Sequence, residues 1–429
     1  MVELAIRTAM TRLGAALLEG LLAADAGHRG PRVNCGAGHP AVFVSYRAKV
    51  INTVLGPVTL RRAWYHCPGC EKGMAPLDAQ LGVASASMSP GLRKMTARAA
   101  AALPFARAGS LLADLAGIHL TARRIERSSE ADGRAAAALI AEQASAVAAR
   151  TLTLLPPQPP LPDKLYVAID GTGVPMVPAE TEGHPGKHDD GRARTREVKM
   201  ACLFTQTSTD ADGWPVRDPG SASYLATFAP AADFGTLMTA EARRRGAGHI
   251  RQLTVLGDGA AWIWNLAACH FPEATQIVDL FHAREHLHDL GKIVEFMLGA
   301  GYNDWLAQRL AELDSGDVPA LLAAARALPL ASRKKRERDK ALHYFQANAH
   351  RMRYGWYRSL GLFVGSGMVE AGCKSVIGAR LKQSGMHWTE HGATGILTLR
   401  CQEASNRWNE IWNRSHNQIP DTDCTSQAS

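Results

Sequence analysis

Residues Lys164 to Pro175 read KLYVAIDGTGVP, and this stretch limits the possible folds more than any other in the chain. Leu165 to Ile169 is a short apolar, partly β-branched run of the kind that fills a buried central strand. It stops at Asp170 and two glycines, so a sheet built around it delivers a carboxylate to its edge. Gly171 and Gly173 are expected to turn the backbone sharply away and leave space beside the acid. An ordinary Asp-Gly turn is the simpler alternative. Two later stretches carry further acids. Gln252 to Leu256 is a second apolar run, ending in Gly257-Asp258-Gly259. Gly365-Ser366-Gly367-Met368-Val369-Glu370 places an acid just inside a helix, with Ser366 as its expected cap. Acids so far apart in sequence converge only through a tertiary fold. Clustered carboxylates raise one another's pKa, and divalent cations remove that penalty. Hard oxygen ligands favour Mg²⁺ or Mn²⁺ over zinc.

A chain of 429 residues with 46% hydrophobic content holds two or three domains with sizeable cores. Its formal charge of +8 favours a polyanionic partner without identifying one. No stretch approaches the roughly 18 uncharged apolar residues of a membrane span. Arg7 and Arg12 interrupt the apolar pattern of the N-terminus, which reads as an amphipathic helix and not a secretory leader. A cytoplasmic location is expected. Eight irregularly spaced cysteines argue for reduced thiols.

Taken in order, 1–32 reads as a helix ended by Gly27 and Gly30. Residues 33–80 hold Cys35-x3-His39 and Cys67-x2-Cys70 around a β-hairpin with a turn at Gly56-Pro57. This is a zinc-ribbon-like layout with Cys35, His39, Cys67 and Cys70 as ligands of a closed, structural site, and His66 as an alternative fourth ligand. Residues 88–154 are helical, with Pro90 in a first turn and a helix from Phe105 to Gly117. Thr121 then caps a helix carrying Arg123, Arg124 and Arg127. That is helix-turn-helix-like and suits DNA contact, the alternative being a helical hairpin with solvated arginines. A separate Ala-rich helix is expected from Ala135 to Leu154. Prolines stiffen a linker at 155–163 and mark a domain boundary. In 164–413, strands at Tyr166–Ile169, Val198–Phe204 and Tyr224–Phe228 precede a helix at Phe234–Arg244, the Asp258 strand, another helix, and a strand at Ala274–Val278. This is the order of an α/β, ribonuclease-H-like mixed sheet whose first and fourth strands carry the first two acids. A helical insertion spans about 283–360, with a basic run at Arg333–Arg338 that reads as solvated surface or a DNA-facing one. Residues 414–429 read as a loose tail.

Five short motifs in this order resemble the DDE transposases of bacterial insertion sequences, of the Kra type, which is related to Mutator-like transposases. They are Asp170-Gly-Thr-Gly, Gly257-Asp258-Gly259-Ala260, Asp279-Leu-Phe-His282, Gly367-Met-Val-Glu370-Ala-Gly-Cys-Lys374 and Gly385-Met-His-Trp388. The resemblance implies two Mg²⁺ (or Mn²⁺) ions, both held by Asp170, with Asp258 and Glu370 on one each. It implies cutting of DNA at transposon terminal repeats and joining to target DNA, with His282 touching the scissile phosphate or carrying a proton. Lys374, Arg380 and Lys382 are then candidate DNA contacts, and Trp388 stacks on an unpaired base or fills the core. Synapsis of two ends implies a homodimer or larger, away from membranes. Cys35-x3-His39 departs from the two cysteines expected of the ribbon.

Three other readings compete. A nuclease on the same fold cuts without joining. A DNA-binding regulator has silent chemistry, against which all three acids are present. His282-Ala-Arg-Glu285-His286 also fits the H-x-x-E-H pattern of inverted zinc proteases, with Glu370 as a third ligand.

Overall fold

The computed structural model describes residues 2–154, 160–186 and 192–413. The expected linker at 155–163 lies largely, and the tail at 414–429 wholly, outside the described residues. The chain divides into two compact units. One runs to Ala136 and includes the segment from Arg407; the other is Ala137–Asn406.

In the first unit, helix α1 (Val2–Ala23) precedes four antiparallel strands in sequential order. These are β1 (Arg32–Asn34), β2 (Pro40–Thr53), β3 (Gly56–Cys67) and β4 (Lys72–Met74). Alternation along the hairpin sends Ile51, Val58 and Leu60 inward, where Ala15, Leu18 and Leu22 of α1 cover them. The hairpin turns at Val54-Leu55, not at Gly56-Pro57. Gly56 pairs with Thr53 and takes a φ of 115°, a left-handed value that suits glycine. Pro57 has no N–H to share with its partner Asn52. Asn52 instead donates its backbone N–H to the carbonyl of Ser87 and accepts from Ser89, both at 2.9 Å. Helix α2 (Pro76–Gln80) presses Asp78 on Arg62 at 2.7 Å in the interior.

Ser89 caps α3 (Pro90–Ala102) by accepting from the Leu92 N–H, and Gly117, at φ 67°, closes α4 (Phe105–Ala116). Helix α5 (Ala122–Ala148) is one continuous helix where two were expected. Ser128, Ser129, Asp132 and Gly133 weaken the helix there, Gly133 by about 1 kcal/mol, but the alanines on either side and the pairing of buried Asp132 with Arg93 at 3.0 Å carry it through.

The second unit is α/β, with a mixed five-stranded sheet. Its strands are β5 (Lys164–Pro175), β6 (Thr195–Gln206), β9 (Ser223–Thr227), β10 (Gln252–Gly257) and β11 (Thr275–Val278); β7 (Ser208–Thr209) and β8 (Pro215–Val216) form a separate ribbon. The order is β11-β10-β5-β6-β9. Strand β6 is antiparallel to β5 and β9, and β10 is parallel to β5 and β11. Leu165 to Ile169 are fully buried, as a central strand covered on both faces requires. Helices α6 (Ala231–Arg244) and α7 (Ala261–His270) connect the later strands. Five helices follow: α8 (Leu280–Leu298), α9 (Tyr302–Ser315), α10 (Val318–Arg326), α11 (Ser332–Asn348) and α12 (Tyr354–Ser359). The chain returns to the sheet through α13 (Gly367–Gly372), a π-helical turn at Cys373–Gly378, α14 (Ala379–Leu381) and α15 (Glu390–Ala404). The basic run is not uniformly exposed: Arg338 is buried and donates to the carbonyls of Arg326 and Leu328 at the end of α10. Among the described residues no helix is long and apolar enough to cross a membrane.

Candidate active site

Asp170 lies within β5 and not at its end. The strand runs on to Pro175 because β6 pairs with it residue by residue as far as Thr195. The two glycines therefore do not turn the chain. A Cβ on Gly171 would stand 2.5 Å from Glu197 Oε1, and one on Gly173 would stand 3.0 Å from Thr195 Oγ1. They make room for the side chains of β6, Glu197 among them, an acid that the motif reading passed over.

Leu256 pairs with Ala168 in parallel register. Asp170 follows two residues later within β5 and Asp258 two residues later just past the end of β10, so both leave the same end of the paired segment of two strands whose backbones run roughly 4.8 Å apart. Asp258 Oδ1 accepts from the Ala260 N–H at 2.8 Å, which holds the carboxylate against its own turn. Tyr344 of α11 donates to the Asp258 carbonyl at 2.9 Å, and its ring stacks on His286 with centroids 3.8 Å apart.

Glu370 stands on α13. Ser366 occupies the cap position but does not cap; its hydroxyl lies 3.4 Å from Glu370 Oε1 instead, and its N–H donates to Asp279 Oδ2. Asp279 is fully buried and caps α8 by accepting from the His282 N–H at 2.8 Å. His282 Nδ1 is 3.8 Å from Asp279 Oδ1 and 4.0 Å from Glu370 Oε1. The ligand atoms of Asp279, His282 and Glu370 thus all lie within 4.8 Å of one another. Asp170 and Asp258 are not in that group. Asp170 is tied to Glu370's helix by Cys373, whose thiol donates to Asp170 Oδ2 at 3.4 Å. The π-helical turn begins at Cys373, a device common at functional sites. Sequence reading named Asp279 and Cys373 only as motif members. Their i+3 spacing from His282 and Glu370 was the visible signal; Tyr344, a helix and a long loop away, left none.

Burial pushes the Asp279 carboxyl up, but hydrogen bonds from His282 and Ser366 outweigh it and hold the group below the ordinary carboxylate range. The Asp279 carboxylate, 3.8 Å from Nδ1, raises His282 to about 9 against its partial burial, with the charges of Glu285 and Asp258 adding to it. Burial and the charge of Asp170 push the Cys373 thiol up, so it stays protonated as a donor. In metal-free protein, NMR of the His282 ring is expected to show one titration near pH 9, falling towards 6.5 in Asp279→Asn. A folded-state value raised above the unfolded one means this pair's stabilisation is whole below pH 6.5 and is lost as pH climbs through about 9. A titration of His282 near 6.5 in the parent would show that the pair does not form.

The candidate DNA contacts divide into those at the surface and those buried. Arg123 and Arg127 are exposed on a cleft of about 550 Å³ that Arg93 and Asp132 also line. Arg124 is half-buried, held by Ser87 Oγ at 3.0 Å. Lys374 and Lys382 are exposed, and Lys382 donates to Thr172 Oγ1. Arg380 and Trp388 are both buried, Arg380 completely, with its guanidinium 5.1 Å from the Trp388 ring centroid, which corrects the expected DNA contact of Arg380 and leaves Trp388 with the core-filling alternative. Trp388 joins the end of β5 by accepting from the Val177 N–H at 2.9 Å, and its indole donates to the Leu381 carbonyl at 2.9 Å. An amphipathic ring with its N–H satisfied inside the fold is a strut, not a platform for a base. Trp388→Ala is expected to cost about 3–5 kcal/mol of stability. Denaturant unfolding reads this directly; an unchanged midpoint with weakened DNA binding would restore the stacking role.

In the first unit, Cys35 and His39 flank the β1–β2 turn, and Cys67 and Cys70 the β3–β4 turn. Their ligand atoms all lie within 4.8 Å of one another. Cys35 Sγ and Cys70 Sγ are 3.7 Å apart, and His39 Nδ1 is 3.2 Å from Cys70 Sγ. Bonds of 2.3 Å to a tetrahedral zinc would set two sulfurs about 3.8 Å apart. The four residues could therefore bind a metal such as zinc, and His66 is not among them. Backbone N–H groups of Ala37 and His39 pull the Cys35 thiol down to about 7, whereas Cys35 and Cys67 push Cys70 up to about 11. Thiols packed this closely ionise together only around a cation.

No family model matches the chain, and no curated protein matches it.

Proposed function

We propose that the second unit is a ribonuclease-H-like catalytic domain of the DDE transposase type, which cuts DNA and joins the cut end to a second DNA. One observation carries this reading: Asp170 on β5 and Asp258 just past the end of the parallel neighbour β10 each lie two residues beyond the paired Ala168 and Leu256, and the helical run bearing Glu370 touches Asp170 through Cys373. The strand order supports it, three antiparallel-linked strands followed by two parallel ones laid on the other side of the first. Asp170, Asp258 and Glu370 would hold two divalent cations; the donor set of hard carboxylates fits Mg²⁺, and the nearby nitrogen of His282 also admits Mn²⁺. Bound cations would lower the pKa of a water or a 3′-hydroxyl and neutralise charge developing at phosphorus.

The chain's own groups do the rest. Asp279 fixes the ring of His282, and the imidazolium, 4.0 Å from Glu370, is placed to meet a phosphate oxygen or pass a proton to the departing oxygen. Lys374 and Lys382 supply positive charge for a DNA backbone, as do Arg123 and Arg127 in the helix-turn-helix-like first unit. On this reading the partners are terminal repeats and target DNA, and the setting is cytoplasmic. The zinc-protease alternative is weakened because His286 lies outside the Asp279–His282–Glu370 group and stacks on Tyr344.

Linear fragments from either side of the reading frame that encodes this chain, mixed with a supercoiled plasmid, provide the test. Joined products are expected in Mg²⁺ and none in EDTA. Cutting without joining would identify the nuclease, and fragment binding without cutting the regulator.

A further inference from the structure

Helix α1 is apolar on two faces, and among the described residues only one of them is covered. Ala15, Leu18 and Leu22 pack on the hairpin. Beside them run Val2, Ile6, Met10, Leu13, Leu17 and Leu21, each more than half exposed, and no residue of α1 is buried. At 3.6 residues per turn these six fall within an arc of about 100° along nearly 30 Å of helix. Ala5 and Ala9 are exposed beyond the stripe, and Arg12, Ala16 and Glu19 border a cleft at the hairpin, where Glu19 accepts from the Thr59 N–H at 3.0 Å. Six large side chains in one stripe leave roughly 600 Å² of apolar surface in water, the upper end of what monomers tolerate.

The spacing says what covers it. Read from either end the stripe is the same, with steps of four, four, three, four and four residues. A second α1 related by a two-fold axis between residues 11 and 12 sets Val2 against Leu21, Ile6 against Leu17 and Met10 against Leu13. Glu3 then faces Gly20 of the copy, so no like charges oppose each other. A parallel pair would make no use of this symmetry. Two stripes together bury about 1,200 Å², the lower bound for a stable interface, and the four-residue steps are the i±4 ridges that interdigitate between two packed helices. We infer that α1 is a homodimerisation element that pairs antiparallel with α1 of a second copy, without DNA. This does not depend on the nuclease chemistry.

Sedimentation equilibrium of the full zinc-loaded chain, free of DNA and Mg²⁺, tests it. The parent is expected to be dimeric at micromolar concentration. Ile6→Lys, a change at an exposed position that leaves the circular dichroism intact, is expected to weaken the dimer by about 100-fold or more, since a charge is then buried against Leu17. Ile6→Lys with Leu17→Glu is expected to recover the dimer, because antiparallel pairing sets each lysine against a glutamate. A parallel pair would oppose like charges and stay apart. A parent that is monomeric at tens of micromolar overturns the inference, as does a dimer indifferent to Ile6→Lys. A double variant that stays monomeric overturns the antiparallel arrangement.

Discussion

Asp170→Asn is expected to abolish cutting and joining of DNA while leaving the fold and the zinc content unchanged. The replacement keeps the shape and the short contact to the Gly171 N–H, 2.7 Å from Asp170 Oδ1. It removes the charge that would hold two cations at once. Losing a preorganised electrostatic partner of a transition state costs on the order of 10²–10³-fold, and losing a bridging ligand at least that. Stability is expected to move little, because Asp170 lies at the boundary between core and surface and makes no ion pair among the described contacts. The measurement is single-turnover cleavage beside thermal unfolding of the same preparation. Activity within tenfold of the parent would sink the site at Asp170 and Asp258 and leave Asp279, His282 and Glu370 as the place to look.

The second large effect is expected at the Cys/His cluster. Cys67→Ser should lower the zinc content from one ion per chain to none and unfold the first unit. Cys67 is both a candidate ligand and a core residue, 1% exposed among Ala41, Ala63 and Tyr65. Structural zinc contributes about 10–16 kcal/mol in small domains, which rivals or exceeds the 5–15 kcal/mol by which whole domains are stable. Metal analysis and limited proteolysis check both halves of the claim, and His66→Ala serves as the control that keeps its zinc. A Cys67→Ser protein with unchanged zinc and unchanged protease resistance would remove the cluster from the account.

Cys67-x2-Cys70 and Cys35-x3-His39 announced their cluster because a hairpin's two ends necessarily meet. The helix stops were legible for the same local reason: Ser89 before Pro90, and Gly117 after α4, meet backbone needs within a few residues. The Arg-bearing helix and the Ala-rich helix merge into α5 because helix propensity runs across the weak stretch from Ser128 to Gly133. Arg380 as a DNA contact, and the choice between the two readings of Trp388, turn on something else. Nothing in Gly385-Met-His-Trp388 says that this segment will add itself to the end of β5.

The residues alone prescribe the buried central strand at 165–169, the acid that follows it, the helix ends at Ser89 and Gly117 and the metal-ligand spacing, because each follows from periodicity or from neighbours a few bonds away. The expected cap at Ser366 and the helix end at Gly27 do not hold, since Ser366 does not cap α13 and α1 stops at Ala23. Packing across the unit decides the rest. Only there do Asp279 and Ser366, 87 positions apart, join to hold His282 against Glu370, and only there does Glu197 claim the space beside Gly171. Those contacts depend on strand register and on how helices settle onto a sheet, which are long-range terms that no local pattern encodes.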